Sequence, residues 1–288
     1  MIGVTGATGN VGGRVARRLA ERRVEQRLIV REAARAPSLP GAEVAVAAGY
    51  DDAEGMRRAL EGVDTLFFVS AGEHPDRVSL HRTAVDAAAA AGVERIVYTS
   101  FVGAAPDTTF TFGRDHFHTE EYIRAAGLGH TFLRDSMYLD YVPFFASPEG
   151  VIRGPAGSGR LGAVARDDVA DTAVVTLLDS QHAGRAYGVT GREAFTLDEA
   201  AEILTRVTGR EVVYIEETLE QARASRAPSG APDWEIEGWV TSYAAIADGT
   251  LDVVTDTVLR LTGHEPMTLA EFLQAHPESW AHLVTAAP

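Results

Sequence analysis

Gly6, Gly9 and Gly12 recur every third residue between an apolar run and a helix-like stretch. Ile2 to Thr5 read as a short buried strand, and Val11 to Glu21 as a helix. A strand, a glycine-rich turn and a helix in that order shape a cradle for a pyrophosphate. Gly6 permits the tight turn, Gly9 lets a ligand approach the bare backbone, and Gly12 lets the helix pack on the strand. Thr8, Asn10 and Val11 complete the turn. Free N–H groups at the helix start then face the anion, with the helix dipole behind them. The alternative is a tight turn with no ligand; the strand–turn–helix setting favours a dinucleotide.

The next strand, Arg27 to Arg31, bears on which dinucleotide. Arg31 lies nineteen residues past Gly12. An acidic residue near this spacing would hold the ribose 2′-hydroxyl of NAD, whereas an Arg accommodates the 2′-phosphate of NADP. The planar guanidinium can donate two parallel bonds to phosphate. Arg35 can add a second positive charge from the loop, so NADP(H) is the expected cofactor. Glu32 would serve NAD if the strand ended one residue later.

The elements that must position these residues alternate strand and helix up to about residue 150. After Val44 to Ala47 comes Thr65 to Ser70, an apolar run short enough for a buried parallel strand. Pro75 to Ala91 reads as a helix and Arg95 to Thr99 as a strand. His116 to Ala126 reads as a helix and Thr131 to Arg134 as a strand. The fold class is therefore α/β, a doubly wound parallel sheet with right-handed crossovers. Ligands in such sheets bind past the carboxyl ends of the strands. That adds Ser70, Ala71, Gly72 and Glu73, then Ser100 to Gly103, then Asp135 to Tyr138.

Residues 1–150 are expected to form the nucleotide-binding core and 151–288 mostly a smaller C-terminal α/β lobe, with about 165–190 returning to the core. Asp167 to Leu178 reads as a helix, Ala186 to Val189 and Glu211 to Ile215 as strands. Thr196 should cap a helix with Glu199 bonding back to it. Residues 218–250 mix helix with a break from Ala227 to Pro232.

Composition narrows the function classes. The 288 residues carry a net charge of −15, which speaks against nucleic acid and anionic membranes as partners. The sequence has no cysteine, so it has no disulfide, thiolate nucleophile or cysteine metal site. No signal segment precedes the first strand and no long apolar run suggests a membrane span, so a cytoplasmic location is expected. All 26 basic residues are Arg; there is no lysine. A Schiff base, a P-loop lysine and a Tyr-x-x-x-Lys pair are therefore excluded within this chain.

The set of motifs resembles the NmrA-like branch of the atypical short-chain dehydrogenases along nearly the whole chain. Its nearest likeness is to type two NAD(P)H:quinone oxidoreductases. The matching pieces are Gly3 to Gly12, Val30-Arg31, Ala91 to Ser100, His118-Thr119-Glu120, Thr131 to Arg134, Arg166 to Ala170 and Tyr187 to Gly191. The resemblance implies a Rossmann-type core, a small substrate lobe and NADP(H). Such proteins commonly carry an Asp after the third strand, against the adenine. Here Gly49 stands there, followed by Tyr50 and Asp51, either of which could take over, Tyr50 by stacking. Where other short-chain reductases have Tyr-x-x-x-Lys, this chain has Phe112-Gly113-Arg114-Asp115-His116; the quinone oxidoreductase branch lacks that pair too.

Hydride transfer belongs to the cofactor, and the protein supplies position and electrostatics. A quinone needs little proton help, because its product is an aromatic hydroquinone. His116 is the leading acid candidate, with an ordinary pKa near neutrality. Ser100 and Tyr138 can donate hydrogen bonds to a carbonyl. Each has a plainer role open to it: His116 as a helix cap, Ser100 as a strand-end cap, Tyr138 as packing. Tyr138, Tyr141, Phe144 and Phe145 form either core or a flat wall for a planar ring. The histidines give no convincing metal site. The expected activity is NADPH-dependent hydride transfer to a quinone or similar conjugated carbonyl, with a homodimer admissible. The other reading is a non-catalytic NADP(H) sensor of the NmrA type, acting through a protein partner.

Overall fold

The computed structural model describes residues 1–284. In chain order the elements are β1 (Ile2–Thr5), α1 (Asn10–Glu21), β2 (Gln26–Val30), β3 (Ala42–Val46), α2 (Ala53–Leu60), β4 (Thr65–Phe68) and α3 (Arg77–Ala90). Then come β5 (Arg95–Phe101), α4 (Thr111–Ala125), β6 (Gly129–Asp135), β7 (Val151–Gly154), α5 (Arg166–Leu178) and β8 (Arg185–Val189). The chain continues through α6 (Leu197–Thr208), β9 (Val213–Glu216), α7 (Leu219–Arg226), α8 (Asp233–Ala247), α9 (Thr257–Thr262), α10 (Leu269–Ala275) and α11 (Ala281–Val284). A 3₁₀ segment, Leu139–Phe145, follows β6.

Contacts divide the chain into two units. The first holds residues 1–106, 115–134 and 166–188, the second 107–114, 135–165 and 189–288. The border falls at 134–135 rather than 150, because the chain leaves the sheet at the end of β6.

The sheet runs β3-β2-β1-β4-β5-β6-β8. Pairs β1/β2, β1/β4, β2/β3 and β4/β5 are parallel, with Val4 opposite Leu28 and Phe67. Strand order reverses direction between β1 and β4, so the carboxyl ends of these two strands flank the crevice where doubly wound sheets take ligands. Leu66, Phe67 and Phe68 are wholly buried, as a strand covered on both faces requires. Phe68, Tyr98, Ile123 and Phe132 belong to the core beneath them.

Helix α1 buries Val11, Val15, Ala16, Leu19 and Ala20, an i, i+4, i+5, i+8, i+9 stripe. Its other face is tied to α5. Arg14 Nε donates to Asp167 Oδ2 at 3.1 Å, and Arg18 donates to Asp167 and Asp171, each at 2.7 Å. Helix α2 escaped the sequence reading because it is short and contains Gly55. Asp52 starts it, accepting from Gly55 N–H at 2.9 Å and from Ala48 N–H at 3.0 Å. β2 ends at Val30, one residue sooner than expected, so Arg31 lies in the loop. Helix α4 begins at Thr111 rather than His116.

In the second unit β7 and β9 pair in parallel, with Val151 opposite Val213. Thr196 and Glu199 form the capping box of α6. The break between α7 and α8 falls at Ala227–Ser229, and Pro232 precedes α8.

Candidate functional site

The turn after β1 separates the three glycines by what each avoids. Gly6 has φ +61°, a left-handed conformation natural to glycine. A Cβ on Gly12 would lie 2.4 Å from the Gly6 carbonyl oxygen and 2.5 Å from that of Thr5, so the fold itself demands glycine there. Gly9 is different. A Cβ there would meet only the Gly6 carbonyl oxygen, at 3.2 Å. Thr8, Gly9 and Asn10 are exposed. Among the described residues no side chain caps α1, and no acidic residue occupies its first turn. The N–H groups of its first turn have no intrahelical acceptor, so they are left to an anion. A side chain on Gly9 would stand in the approach to them. This cradle fits a dinucleotide pyrophosphate. Gly13, which the motif did not single out, is also packed close, its hypothetical Cβ 3.0 Å from the Ala7 carbonyl oxygen.

Arg31 and Arg35 are exposed. Neither guanidinium has a hydrogen bond or ion pair among the described residues, in contrast to Arg14 and Arg18. They suit a phosphate monoester that brings its own negative charge. Asp51 is likewise exposed and without a side-chain partner among the described residues. Tyr50 is not presented for stacking. Its hydroxyl lies 2.9 Å from Thr5 Oγ1 and donates toward the Val69 carbonyl oxygen, and its ring meets Phe68 edge-on at 5.0 Å. Burial raises its phenol above the ordinary range.

The turn after β4 is held by side chains from elsewhere. Thr5 Oγ1 accepts from Val69 N–H at 2.9 Å and donates to the Phe67 carbonyl oxygen at 3.1 Å. Thr99 Oγ1 accepts from Ser70 N–H at 2.8 Å. His81 Nε2 accepts from Ala71 N–H at 2.8 Å. His81 Nδ1 lies 2.8 Å from Thr119 Oγ1, whose own hydrogen goes to the Asp115 carbonyl oxygen. The tautomer follows: Nδ1 carries the hydrogen and Nε2 accepts. Gly72 has open space about it.

His116 lies in the same buried layer. Arg77 Nη2 is 3.2 Å from its Nε2, and Tyr98 Oη is 3.0 Å from its Nδ1. Arg can only donate, so Nε2 accepts and Nδ1–H donates to Tyr98. Burial, reinforced by the charge of Arg77, holds His116 well below its ordinary pKa. The same two causes lower His81 to about 3. A neutral, enclosed imidazole with both nitrogens engaged has no proton to offer a substrate, which corrects the reading of His116 as the acid.

Ser100 is corrected in the same way. Its hydroxyl donates to Glu120 Oε1 of α4 at 2.6 Å, out of reach of solvent. Glu120 is fully buried, and Arg134 clamps both its oxygens, at 2.9 and 2.7 Å. Phe112, where other short-chain reductases place tyrosine, packs on α8: it meets Trp234 edge-on at 6.1 Å, and a Cβ on Gly238 would fall 2.4 Å from its ring.

Tyr138 remains. Its hydroxyl donates to Asp135 Oδ2 at 3.0 Å, and its ring stacks on Tyr141 at 6.1 Å. Tyr141 and Phe144 are 52% and 61% exposed, so the aromatic segment is not core throughout. Asp135 is 1% exposed, and burial raises its carboxyl well above the ordinary range against the opposing hydrogen bond from Tyr138. Among the described residues its Oδ1 has no partner, nor has Ser136 Oγ. A buried polar atom left unpaired costs about 1–3 kcal/mol.

Thr5, His81 and Thr99 were not singled out as site residues in the sequence, and Asp135 entered only as the start of the Asp135 to Tyr138 strand end. His81 had a signal: Arg77, His81, Ala84 and Ala88 share one buried stripe of α3, where two polar residues need partners.

The NAD(P)H-binding family profile matches residues 6–180. The NAD(P)H azoreductase of Xenophilus azovorans is 33% identical over 280 residues, covering 96% of this chain and 98% of that protein. The structure of the NADPH-dependent quinone oxidoreductase QOR2 of Escherichia coli complexed with NADPH superposes with a TM-score of 0.87. It is 32% identical and covers 96% of this chain and 99% of that one. NmrA, a negative transcriptional regulator, shares the fold at a TM-score of 0.75 and 18% identity, covering 94% of each chain.

Proposed function

The chain belongs to the NAD(P)H-binding family, and we propose that it is an NADPH-dependent reductase of quinones or similar conjugated acceptors. The observation that carries this reading is the turn after β1. Gly9 is bare for no compelling reason of packing, at the uncapped start of α1. Arg31 and Arg35 stand exposed beyond β2. Backbone N–H groups of the first turn of α1 would hold the pyrophosphate, and the two guanidinium groups the 2′-phosphate. The azoreductase and quinone oxidoreductase relatives support the acceptor class.

The reduced nicotinamide, when bound, supplies the hydride. Thr5, Thr99 and His81 fix the backbone of Val69 to Ala71, so that turn is set before any ligand arrives. Tyr138 is the hydroxyl offered to the acceptor's oxygen. An acceptor that becomes aromatic on reduction makes modest demands on that donor. The reading places the protein in the cytoplasm, acting on a small molecule, in line with a net charge of −15.

The test is NADPH oxidation against a panel of quinones and azo dyes, with the protein-free rate subtracted. Saturable turnover on a member of either class is expected. Tight NADPH binding with no turnover on any acceptor would instead mark a redox sensor.

A further inference from the structure

We propose that Asp135 and Tyr138 form a proton relay, in which the Tyr138 hydroxyl protonates the reduced acceptor and the Asp135 carboxyl resupplies Tyr138. The inference rests on the reductase reading and deepens it. The two residues belong to one short segment at the end of β6, their oxygens 3.0 Å apart. The segment is held at both ends: Ser136 N–H donates to the Val189 carbonyl oxygen and Leu139 N–H, just past Tyr138, to that of Val164, each at 2.9 Å. The carboxyl is enclosed while the phenol is half-buried, so Tyr138 is the more accessible member of the pair.

Glu120 shows what a structural buried carboxylate looks like in this chain. Both its oxygens are engaged, by Ser100, Arg124 and Arg134. Asp135 has no such guard. One oxygen is unpartnered, and among the described residues no charged group compensates it; Tyr138 is the titratable group that faces it. Burial without a cation raises the carboxyl well above its ordinary range and so favours its neutral form. A neutral acid hydrogen-bonded to a phenol is a proton store.

The step balances. Hydride addition gives the acceptor two electrons and leaves an anionic oxygen. The Tyr138 O–H bond breaks and that oxygen takes the proton. The phenolate takes the Asp135 proton, and the carboxylate recovers one from solvent. The acceptor thus gains a hydride and one proton.

Two measurements on the whole protein test this. Infrared spectra at neutral pH should show a protonated-carboxyl band that Asp135→Asn removes and Tyr138→Phe shifts. With NADPH and a conjugated ketone, each variant should lower kcat about 100-fold. A quinone should suffer less, and KM for NADPH should hold. The double variant should be no slower than either single one, because the pair acts as a unit. Asp135→Glu should recover part of the rate. An ionised Asp135 at neutral pH, or turnover with unchanged pH–rate profiles in both variants, overturns the relay alone. Wild-type protein that reduces no acceptor overturns the reductase reading, and the relay with it.

Discussion

The turns after β1 and β4 lie side by side at the switch point of the sheet and are built in opposite ways. The first is shaped by what is missing. Gly6, Gly9 and Gly12 leave backbone uncovered, and no side chain reaches in to use the N–H groups at the start of α1. The second is shaped by what arrives. Thr5 from β1, Thr99 from β5 and His81 from α3 take successive N–H groups of Val69, Ser70 and Ala71. One turn keeps its donors for a ligand; the other has spent them on the protein and is rigid as a result. A ligand bound between two such turns would meet one adaptable, anion-seeking wall and one fixed wall.

The largest expected effect breaks the first turn. Gly9→Val puts a branched side chain where the ligand should approach, against one protein contact of 3.2 Å. NADPH affinity should fall by about 100-fold or more, roughly 3 kcal/mol, with the melting temperature little changed. Gly12→Ala should do the reverse in kind. Its methyl group would sit 2.4 Å from the Gly6 carbonyl oxygen, so the helix must shift, at about 1–3 kcal/mol of stability. Calorimetry and NADPH titration on both variants separate the two. Equal melting losses would mean that Gly9 is bare for the fold and not for a ligand.

A smaller effect sharpens the contrast. Arg31→Ala should weaken NADPH by about 1.5–3 kcal/mol, as for a hydrogen bond to a charged group, and leave NADH almost unchanged. Arg31 has no other partner among the described residues, so the protein should melt as before. Parallel loss for NADH and NADPH would remove Arg31 from the 2′-phosphate.

The contrast also explains what could be read in advance. The first turn is local in sequence: the glycines, the strand before and the helix after lie within Ile2 to Glu21. The same holds for the capping box of α6, four residues long. The second turn joins positions far apart. Thr99 lies 29 residues from Ser70, and His116 lies 39 from Arg77. No spacing rule connects them before the sheet brings β4 and β5 together. His116 therefore looked like a free imidazole, and Ser100 like an open hydroxyl. Asp135 could be placed at a ligand-binding strand end but given no role there, because an Asp at such an end usually meets water, and only the folded chain shows its unpaired oxygen. α2 went unread for a different reason: Gly55 lowers helix propensity, and the compensating contact is the Asp52 carboxylate pressed against it.

Near neutral pH the smallest expected effect belongs to the second turn and appears as pH dependence. His81 and His116 are neutral in the fold and titrate near 6.5 when unfolded. Below that value the unfolded chain binds more protons than the folded one, so stability falls as pH drops. For His81 the window runs from about 6.5 down to about 3. Each histidine contributes a slope of at most about 1.4 kcal/mol per pH unit. Asp135 works with the opposite sign: its raised carboxyl stabilises the fold at low pH, and that contribution is lost as pH rises. His81→Gln should flatten the acid limb of stability and, by loosening Ala71, lower kcat modestly. His116→Gln should flatten the same limb yet leave the pH–rate profile of the wild type intact, because the imidazole carries no exchangeable charge during turnover. Chemical denaturation across pH 4 to 8, set beside the pH–rate profiles of both variants, decides it. A pH–rate profile that loses its neutral inflection in His116→Gln would return His116 to the proton path and leave Tyr138 as packing.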